Sequence, residues 1–224
     1  MDAEQNIRTI AIIGGTGALG TGLARRWARA GYEVVIGSRT APKAEAAAAE
    51  LLAAIPDAKV SGTDNLAAAT AADIAVVTVP FAHQQPTLEA IRPGLAGKIL
   101  VETTVPLVPP KVARVQMPEE GSAAIRAQGI VGDDVTVVSA FHNVAADLMA
   151  SDARMQCDVL VAGDKLAARE IVIRLAGEAG FKAWHAGPLA NSAAMEALTS
   201  VLIFMNRRYE GSHTGIRMTG IQEA

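Results

Sequence analysis

Short apolar runs alternate along the chain with longer segments of helical periodicity. The apolar runs predict β-strands at residues 10–13, 33–36, 59–60, 74–79, 99–101 and 135–139. The segments between them predict helices at residues 19–30, 43–54, 65–72, 83–91 and 122–128. Strands that alternate with helices in this way are typical of a parallel sheet with crossover helices, so we expect an α/β fold.

The alternation is interrupted after the fifth predicted strand. Residues 103–118 form an irregular connection that contains four prolines: Pro106, Pro109, Pro110 and Pro118. A loop this long inside a compact domain usually has a function. Beyond the sixth strand the pattern resumes, with helices expected at residues 143–149, 165–179 and 192–209 and strands at residues 159–162 and 183–185.

A glycine-rich turn lies between the first strand and the first helix. Residues 10–20 read IAIIGGTGALG, with the spacing Gly15-x-Gly17-x-x-Gly20. In such a turn Gly15 allows the tight bend, Gly17 leaves room for phosphates, and Gly20 lets the helix approach the strand. The helix N-terminus then offers free N–H groups and the positive end of its dipole to an anion. Strand, turn and helix together predict a dinucleotide-binding, Rossmann-type doubly wound sheet.

The end of the second strand indicates which dinucleotide is bound. An NAD site generally carries an acidic residue here, which hydrogen-bonds to the ribose 2′-hydroxyl. This chain instead has Ser38, Arg39 and, one helical turn further, Lys43. A hydroxyl donor and two cations attract a 2′-phosphate that a carboxylate would repel. We therefore expect NADP(H). The alternative is that Arg39 and Lys43 are ordinary solvated charges.

The composition excludes several classes of function. Half of the 224 residues are hydrophobic, which is enough for a sizeable core. The formal charge of −3, from 20 basic and 23 acidic residues, leaves no basic face for nucleic acid and no polybasic membrane anchor. The longest apolar runs, at residues 74–82 and 201–205, are much shorter than the roughly 20 residues that cross a bilayer. Neither nucleic acid nor a membrane is expected as a partner.

The cysteines and histidines indicate the cellular compartment and which kinds of catalytic site to expect. Cys157 has no second cysteine for a disulfide, and the chain begins Met-Asp-Ala-Glu, without the basic and apolar regions of a secretory signal. These features predict a cytoplasmic protein. Cys157 has no histidine partner, and His185 and His213 have no metal-type spacing, so neither nucleophilic catalysis nor a metal site is expected.

The two parts of the pattern indicate two units. We place a boundary near Ser139, with an NADP-binding Rossmann domain at residues 1–139 and a small C-terminal α/β unit at residues 140–224. Because no linker marks this boundary, a single continuous domain explains the pattern equally well. The last helix carries an apolar series that indicates core or dimer contacts and predicts a homodimer: Met195, Leu198, Leu202 and Met205.

Several motifs follow one another in a fixed order along nearly the whole chain. They are GGTGALG, the GSR triplet with its lysine four residues later, TVPFAH at 78–83, PLVP at 106–109, SAFH at 139–142, AGPL at 186–189 with NS at 191–192, and GIR at 215–217. In this order they resemble the NADPH-dependent F420 reductase family, or F420H2:NADP⁺ oxidoreductases. The resemblance implies a Rossmann domain, a small C-terminal domain, and hydride transfer between C4 of the nicotinamide and C5 of the deazaflavin coenzyme F420.

The resemblance also implies roles for the matching positions. After Gly15, the pyrophosphate loop would be Thr16, Gly17, Ala18 and Leu19. The implied 2′-phosphate site agrees with the charge argument: Ser38, Arg39 and Lys43. The implied nicotinamide side and the cleft beside it are Phe81, Gln85, Val108 and Ala146. The residues implied to meet the deazaflavin are His142, Val144 and Thr214.

Three departures from the family pattern lie near the acceptor. Phe81 stands where relatives have Trp, Ala145 stands where they have Pro, and residues 103–105 are an insertion. Because these side chains are smaller, an NADPH-dependent reductase of another acceptor, such as a flavin or a small carbonyl compound, is a second hypothesis. A non-enzymatic NADP(H)-binding sensor is the third.

No catalytic side chain is expected under the first hypothesis. Hydride transfer between two bound coenzymes uses their own chemistry, so the protein supplies proximity, alignment and exclusion of water. Accordingly, the chain has no Ser-Tyr-Lys set of the alcohol-dehydrogenase kind. His142 is interpreted equally well as a residue that orients the acceptor and as a structural histidine at a strand end. His83 is interpreted as a packing or capping residue at the start of its helix, with contact to the cofactor as the alternative.

Overall fold

A computed structural model of the chain describes residues 7–150, 156–211 and 213–221. Its main sheet contains β1 Thr9–Ile13, β2 Glu33–Ser38, β3 Lys59–Asp64, β4 Ile74–Val77, β5 Ile99–Glu102 and β6 Thr136–Ser139. The strands are ordered β3-β2-β1-β4-β5-β6, and every neighbouring pair is parallel. The direction of winding reverses between β1 and β4, which confirms the predicted doubly wound α/β class.

Helices cover both faces of this sheet: α1 Ala18–Arg29, α2 Ala41–Ala54, α3 Asn65–Ala71, α4 Gln84–Ile91 and α5 Ala123–Val131. Side chains alternate along a strand, so β1 contributes Ile10 and Ile12 to the apolar cluster under α1 and α2. Its other face contributes Ala11 and Ile13 to the cluster under α3, α4 and α5. The sheet is therefore buried on both sides, as parallel sheets generally are.

The C-terminal segment contains β7 Asp158–Val161, α6 Leu166–Glu178, β8 Lys182–His185 and α7 Ser192–Arg208. β7 and β8 form a second parallel pair. Backbone groups of Ser139 and Ala162 exchange hydrogen bonds of 2.8 and 3.0 Å, which attach this segment to the end of β6. α6 packs into the same apolar cluster as α1, where Trp27 Nε1 donates to the Leu175 carbonyl at 2.8 Å. The two segments share this core, and a domain boundary at residue 139 stays a prediction.

Several elements differ from their predicted bounds. β3 has six residues instead of two, because its polar sequence KVSGTD lies on an edge strand and carries little apolar signal. β4 ends at Val77, two residues early, and the helix predicted at 143–149 is a short 3₁₀ helix at Ala146–Ala150. Within the described ranges, no helix combines the length and the apolar character that crossing a bilayer requires.

Candidate functional site

A cleft opens at the carboxyl ends of β1, β2 and β4, where the winding of the sheet reverses. Ligands of open α/β sheets bind at this edge. The volume of the cleft is about 650 Å³, within the usual range of ligand pockets. It is lined by Gly14, Thr16, Gly17, Ala18, Leu19, Ser38, Arg39, Thr40, Lys43, Asn65, Thr78, Val79, Pro80, His83 and Thr87.

The glycine turn after β1 forms one wall of the cleft. Gly14, one residue before the predicted turn glycine, has the left-handed backbone, with φ of 69°. Gly15 is restricted for another reason, since a Cβ atom there would lie 2.7 Å from the Ile12 carbonyl oxygen. A Cβ atom on Gly20 would lie 2.6 Å from the Gly15 Cα atom. That spacing is the close approach of helix and strand that the motif predicts.

The N-terminus of α1 faces the cleft without a side-chain cap. Gly17 is its N-cap residue, and neither a capping side chain nor an acidic residue is found in its first turn within the described ranges. The N–H groups and the helix dipole therefore favour an anion. A Cβ atom on Gly17 would meet no atom within 4 Å, so the space in front of the turn is open. These features fit a pyrophosphate group.

Asn65 joins the glycine turn to α3. Its Oδ1 atom accepts a hydrogen bond from the backbone N–H of Gly14 at 3.1 Å, and its side chain lines the cleft. Only the oxygen of an amide can accept, so this bond turns the NH₂ group away from Gly14. Asn65 is not the N-cap of this helix; the side chain of Asp64 caps it by accepting from the Ala67 N–H at 2.9 Å.

The end of β2 presents two exposed cations to the cleft. Arg39 and Lys43 line it beside the buried Ser38, and neither forms an ion pair with another described residue. Asp64 is paired with Ser38 across the strands, but its carboxylate caps α3 and does not line the cleft. This end of the cleft is therefore suited to an anion such as a 2′-phosphate.

Both parts of the predicted NADP(H) site meet in this cleft. Seven of the predicted residues line it: Thr16, Gly17, Ala18, Leu19, Ser38, Arg39 and Lys43. Gly15 lies in the same turn and is buried. The glycine turn and the cationic strand end, which are separated by the whole of α1 and β2, thus face one volume.

Phe81 and Gln85 follow β4 but do not line the cleft. Both contact Arg126 of α5. Its guanidinium lies 5.3 Å from the centre of the Phe81 ring, and its Nη2 atom donates to Gln85 Oε1 at 2.5 Å. Arg126 also lies 3.8 Å from the carboxylate of Glu120. The two predicted residues therefore belong to a surface cluster with α5. His83, which lies two positions from each of them, does line the cleft.

His142 is buried after the end of β6. Its Nε2 atom lies 3.4 Å from the Ser139 hydroxyl, its Nδ1 atom has no partner among the described residues, and its carbonyl accepts from the Thr199 hydroxyl at 2.9 Å. Burial lowers the pKa of the imidazole to about 3, so the ring is neutral near pH 7. Phe141 before it has a left-handed backbone, with φ of 67°, and its ring packs edge-on against Trp27. The structure thus holds His142 in the interior and not in the cleft wall.

The remaining predicted residues lie in separate places, outside the lining of the cleft. Val108 is exposed in the proline-rich loop. Val144 packs against the apolar cluster under α1, and Ala146 borders a cavity of about 400 Å³ that also touches Ala18. The backbone N–H of Thr214 donates to an asparagine side chain of α7 at 3.0 Å. None of these four lines the cleft that the glycine turn and the two cations share.

Part of the cleft wall is not evident from the sequence pattern. Thr78, Val79 and Pro80 line the cleft after β4, as do His83 and Thr87. The interpretation of His83 as a packing or capping residue does not match its position, since it lines the cleft and makes no capping hydrogen bond at the start of α4. The signal that identifies these residues is their position directly after a strand next to the reversal of winding.

Comparison with known proteins shows to which family the chain belongs. A family model described as NADP oxidoreductase, coenzyme F420-dependent, matches residues 9–106. F420-dependent NADP reductases from Methanothermobacter thermautotrophicus and Methanothermobacter marburgensis are 40% and 39% identical, over 97% and 96% of this chain and 97% and 99% of theirs. The crystal structure of an Arthrobacter sp. FB24 protein, provisionally assigned as an F420-dependent NADP-reductase, is 26% identical with a TM-score of 0.78, covering 96% of this chain and 100% of that one. The resemblance carried by the motifs is thereby confirmed, and the chain belongs to the F420-dependent NADP reductase family.

Proposed function

We propose that this protein is an oxidoreductase that transfers hydride between NADP(H) and the deazaflavin coenzyme F420. The observation that carries the proposal is one cleft that joins an uncapped helix N-terminus to the exposed cations Arg39 and Lys43. An anion site for the pyrophosphate beside one for a 2′-phosphate supports NADP(H) over NAD(H). Identity of 40% over 97% of the chain to a named F420-dependent NADP reductase supports F420 as the second coenzyme.

The protein's part in this reaction is binding and alignment. When both coenzymes are bound, a hydride passes between C4 of the nicotinamide and C5 of the deazaflavin, so the reacting atoms belong to the coenzymes. Gly17 and the α1 N-terminus would hold the pyrophosphate, and Arg39 and Lys43 would neutralise the 2′-phosphate. Val79, which follows β4 on the other side of β1 from the cations, adds an apolar surface to the cleft. No side chain is required to move a proton in this step.

We place the acceptor beside the segments that follow β4 and β6. The carboxyl ends of parallel strands lie at one edge of the sheet, and these segments carry most of the residues assigned to the acceptor side: Phe81, Gln85, His142, Val144 and Ala146. The burial and neutrality of His142 favour its structural interpretation over direct contact with the acceptor. Val108 and Thr214 are assigned to the acceptor on the resemblance alone.

A turnover assay tests the proposal directly. Purified protein is mixed with NADPH and oxidised F420, and the visible absorbance of the deazaflavin is followed. We expect the absorbance to bleach at a rate proportional to enzyme concentration, with a much slower rate when NADH replaces NADPH. A parallel series with a free flavin and with small carbonyl compounds tests the second acceptor class.

Two results would contradict the proposal. Faster turnover of a flavin or a carbonyl compound than of F420 would move the protein to the second hypothesis. Tight NADPH binding, measured by fluorescence titration, without turnover of any acceptor would favour a non-enzymatic sensor.

We also propose that the protein is a homodimer in the cytoplasm. Val201, Phe204 and Met205 lie at helical spacing on α7 and are 44%, 54% and 37% exposed, and an apolar stripe of this kind is typical of a contact surface. At the same protein concentration, light scattering should give the mass of a dimer for the wild type and that of a monomer for Phe204→Glu. Leu166→Glu, at an equally exposed apolar residue of α6, should leave the mass unchanged. A monomeric wild-type protein would contradict this assembly.

A further inference from the structure

Two carboxyl groups are completely buried, one at the end of β5 and the other beside the start of α5. Glu102 is the last residue of β5, and Glu196 lies on α7; both side chains are fully shielded from solvent. Neither has an ion-pair partner among the described residues. Since burying an unpaired charge is costly, the protonation of these two groups needs a physical account.

Glu196 is surrounded by donors. Its Oε2 atom accepts from the backbone N–H of Ala123 at 2.6 Å, and its Oε1 atom accepts from that of Ala124 at 3.0 Å. These are the first two residues of α5, whose N-cap residue Ser122 accepts from a third N–H of the same turn. Two backbone donors and the positive end of a helix dipole favour the ionised form of Glu196.

Glu102 has the opposite environment. Its Oε1 atom accepts from the backbone N–H of Thr104 at 2.8 Å, but its Oε2 atom has no partner in the described part of the chain. The side chain of Gln84 lies near this carboxyl group, where an amide donor lowers the Glu102 pKa, but burial has the larger effect and raises it. Its Nε2 atom donates to the Ala123 carbonyl at 2.9 Å, and its Oε1 atom is likewise without a partner. Both unpartnered oxygens are acceptors, whereas a proton on Glu102 Oε2 would give Gln84 Oε1 a donor.

The electrostatics of the pair agree that a proton is retained. Burial raises the pKa of Glu102 to about 7 and that of Glu196 to about 8, and the Glu102 charge contributes to the rise at Glu196. Two interacting acids titrate as a unit, so one proton stays on the pair near neutral pH. The two pKa values alone would place it on Glu196, but the donor geometry places it on Glu102, because only Glu196 has a backbone N–H for each oxygen.

The segment that Glu102 holds braces the cleft. The hydroxyl of Thr103 donates to the Val77 carbonyl at 2.7 Å, and that of Thr104 donates to the Val79 carbonyl at 3.4 Å. Val79 lines the cleft on the side opposite the cations. The neighbours of Glu102 in the sheet, Val77 and Ser139, bring no titratable group. The buried His142 beyond Ser139 is neutral near pH 7.

We propose that Glu102 is a protonated positioning residue: the proton on its Oε2 atom is donated to Gln84 Oε1, and the fixed end of β5 holds the end of β4 and, through Thr104, Val79 in the wall of the cofactor cleft. The carboxylate of Glu196 is the ionised partner that caps α5. The inference rests on the proposed function only in that the cleft binds NADPH.

A pair of isosteric variants tests the assignment. Glu102→Gln replaces the proposed O–H by an N–H donor, so at about pH 5, where Glu102 is protonated, its melting temperature should stay close to that of the wild type. Glu196→Gln turns an NH₂ group toward a backbone N–H, so its melting temperature should fall by about 5 °C or more. Failure of Glu196→Gln to fold while Glu102→Gln folds is the same result. A lower melting temperature for Glu102→Gln than for Glu196→Gln would overturn the proposal.

Two further readouts separate this role from a merely structural one. At about pH 6, where exposed carboxyl groups are ionised, the infrared band of a protonated carboxylic acid should be present in the wild type and lost in Glu102→Gln. Glu102→Ala should weaken NADPH binding about tenfold in fluorescence titration, whereas Glu102→Gln should bind NADPH as tightly as the wild type. A band that Glu102→Gln leaves in place, or equal affinities in the two variants, would overturn the proposal. None of these measurements uses F420. A failure of the turnover assay would therefore contradict the proposed function without contradicting the role of Glu102.

Discussion

The two ends of the cofactor cleft are built from ionisable residues in opposite ways. At the phosphate end, Arg39 and Lys43 are exposed, so their charges are solvated and free to pair with a ligand. Behind the opposite wall, Glu102 and Glu196 are buried, and the structure must either neutralise them or surround them with donors. The difference teaches that access to solvent decides whether an ionisable side chain binds a ligand or supports the fold.

The largest expected effect comes from closing the phosphate end with Gly20→Ala. The new Cβ atom would lie 2.6 Å from the Cα atom and 2.9 Å from the carbonyl carbon of Gly15, and neither can move without opening the turn. Because overpacking of this kind costs about 1–3 kcal/mol or more, NADPH affinity in a fluorescence titration should fall by about 100-fold.

Gly129→Ala is the matched control for this change. Gly129 lies in α5, and a Cβ atom there would meet no atom within 4 Å. It should leave NADPH affinity unchanged and raise the free energy of unfolding by about 0.5–1 kcal/mol. Equal NADPH affinity of both variants and the wild type would show that the turn does not hold the cofactor.

The next effect concerns the exposed cations. Arg39→Ala should raise the KM for NADPH by about 30-fold and barely change the KM for NADH, because a charge-assisted hydrogen bond to phosphate contributes about 1.5–3 kcal/mol. Lys59→Ala removes an equally exposed cation at the other end of the sheet and should change neither KM. Equal changes for the two coenzymes in Arg39→Ala would show that Arg39 does not contact the 2′-phosphate.

The buried end should make stability depend on pH. Burial raises the pKa of Glu102 from 4.5 to about 7, so the folded state keeps a proton that the unfolded chain releases. The stabilisation is fully present below pH 4.5 and is lost as the pH rises toward 7. Across that window the free energy of unfolding of the wild type should fall by about 2–3 kcal/mol relative to Glu102→Gln, as measured by urea denaturation at each pH.

His142 provides an internal check on this measurement. Burial lowers its pKa from 6.5 to about 3, so its contribution is lost as the pH falls and has the opposite sign. It is the same in wild type and Glu102→Gln, and it cancels in their difference. Identical pH profiles for the two proteins would contradict a buried proton on Glu102.

The smallest effect is expected at Asn65, which joins the glycine turn to the cleft. Asn65→Ala leaves the Gly14 N–H without its acceptor, so NADPH affinity should fall by about three- to tenfold in titration, as loss of one hydrogen bond predicts. Asn65→Asp keeps the acceptor but adds a negative charge beside the phosphates, and it should weaken binding further as the ionic strength is lowered. If both variants bind NADPH with the affinity of the wild type, Asn65 does not contribute to the cofactor site.

Much of the phosphate end could be predicted because its parts are local. Gly15, Gly17 and Gly20 lie between one strand and one helix, and Ser38, Arg39 and Lys43 lie at the end of the next strand. One detail could not be predicted, because adjacent glycines permit the left-handed backbone equally well and the structure has it at Gly14. The acceptor side was harder, since residues such as Phe81 follow the right strand but turn toward Arg126 instead of the cleft.

The polar edge strand and the buried acids show the limit of sequence patterns. Most of β3 is polar or half-exposed, so its register with β2 is set by backbone pairing and not by an apolar signal. Gln84, Glu102 and Glu196 come from α4, β5 and α7, and each by itself looks like a surface residue. Their burial is visible only when the three elements are packed together.

By itself, the sequence determined the alternating α/β fold, the glycine turn, the preference for a 2′-phosphate and the family, because each of these follows from residues that are close along the chain. Only the tertiary structure decided which side chains line the cleft, where His142 is buried, and how Glu102 meets Gln84 and Glu196. The physical reason is that hydrophobic periodicity and turn chemistry act over a few residues, whereas burial and pKa depend on neighbours that the folded chain brings together from distant positions.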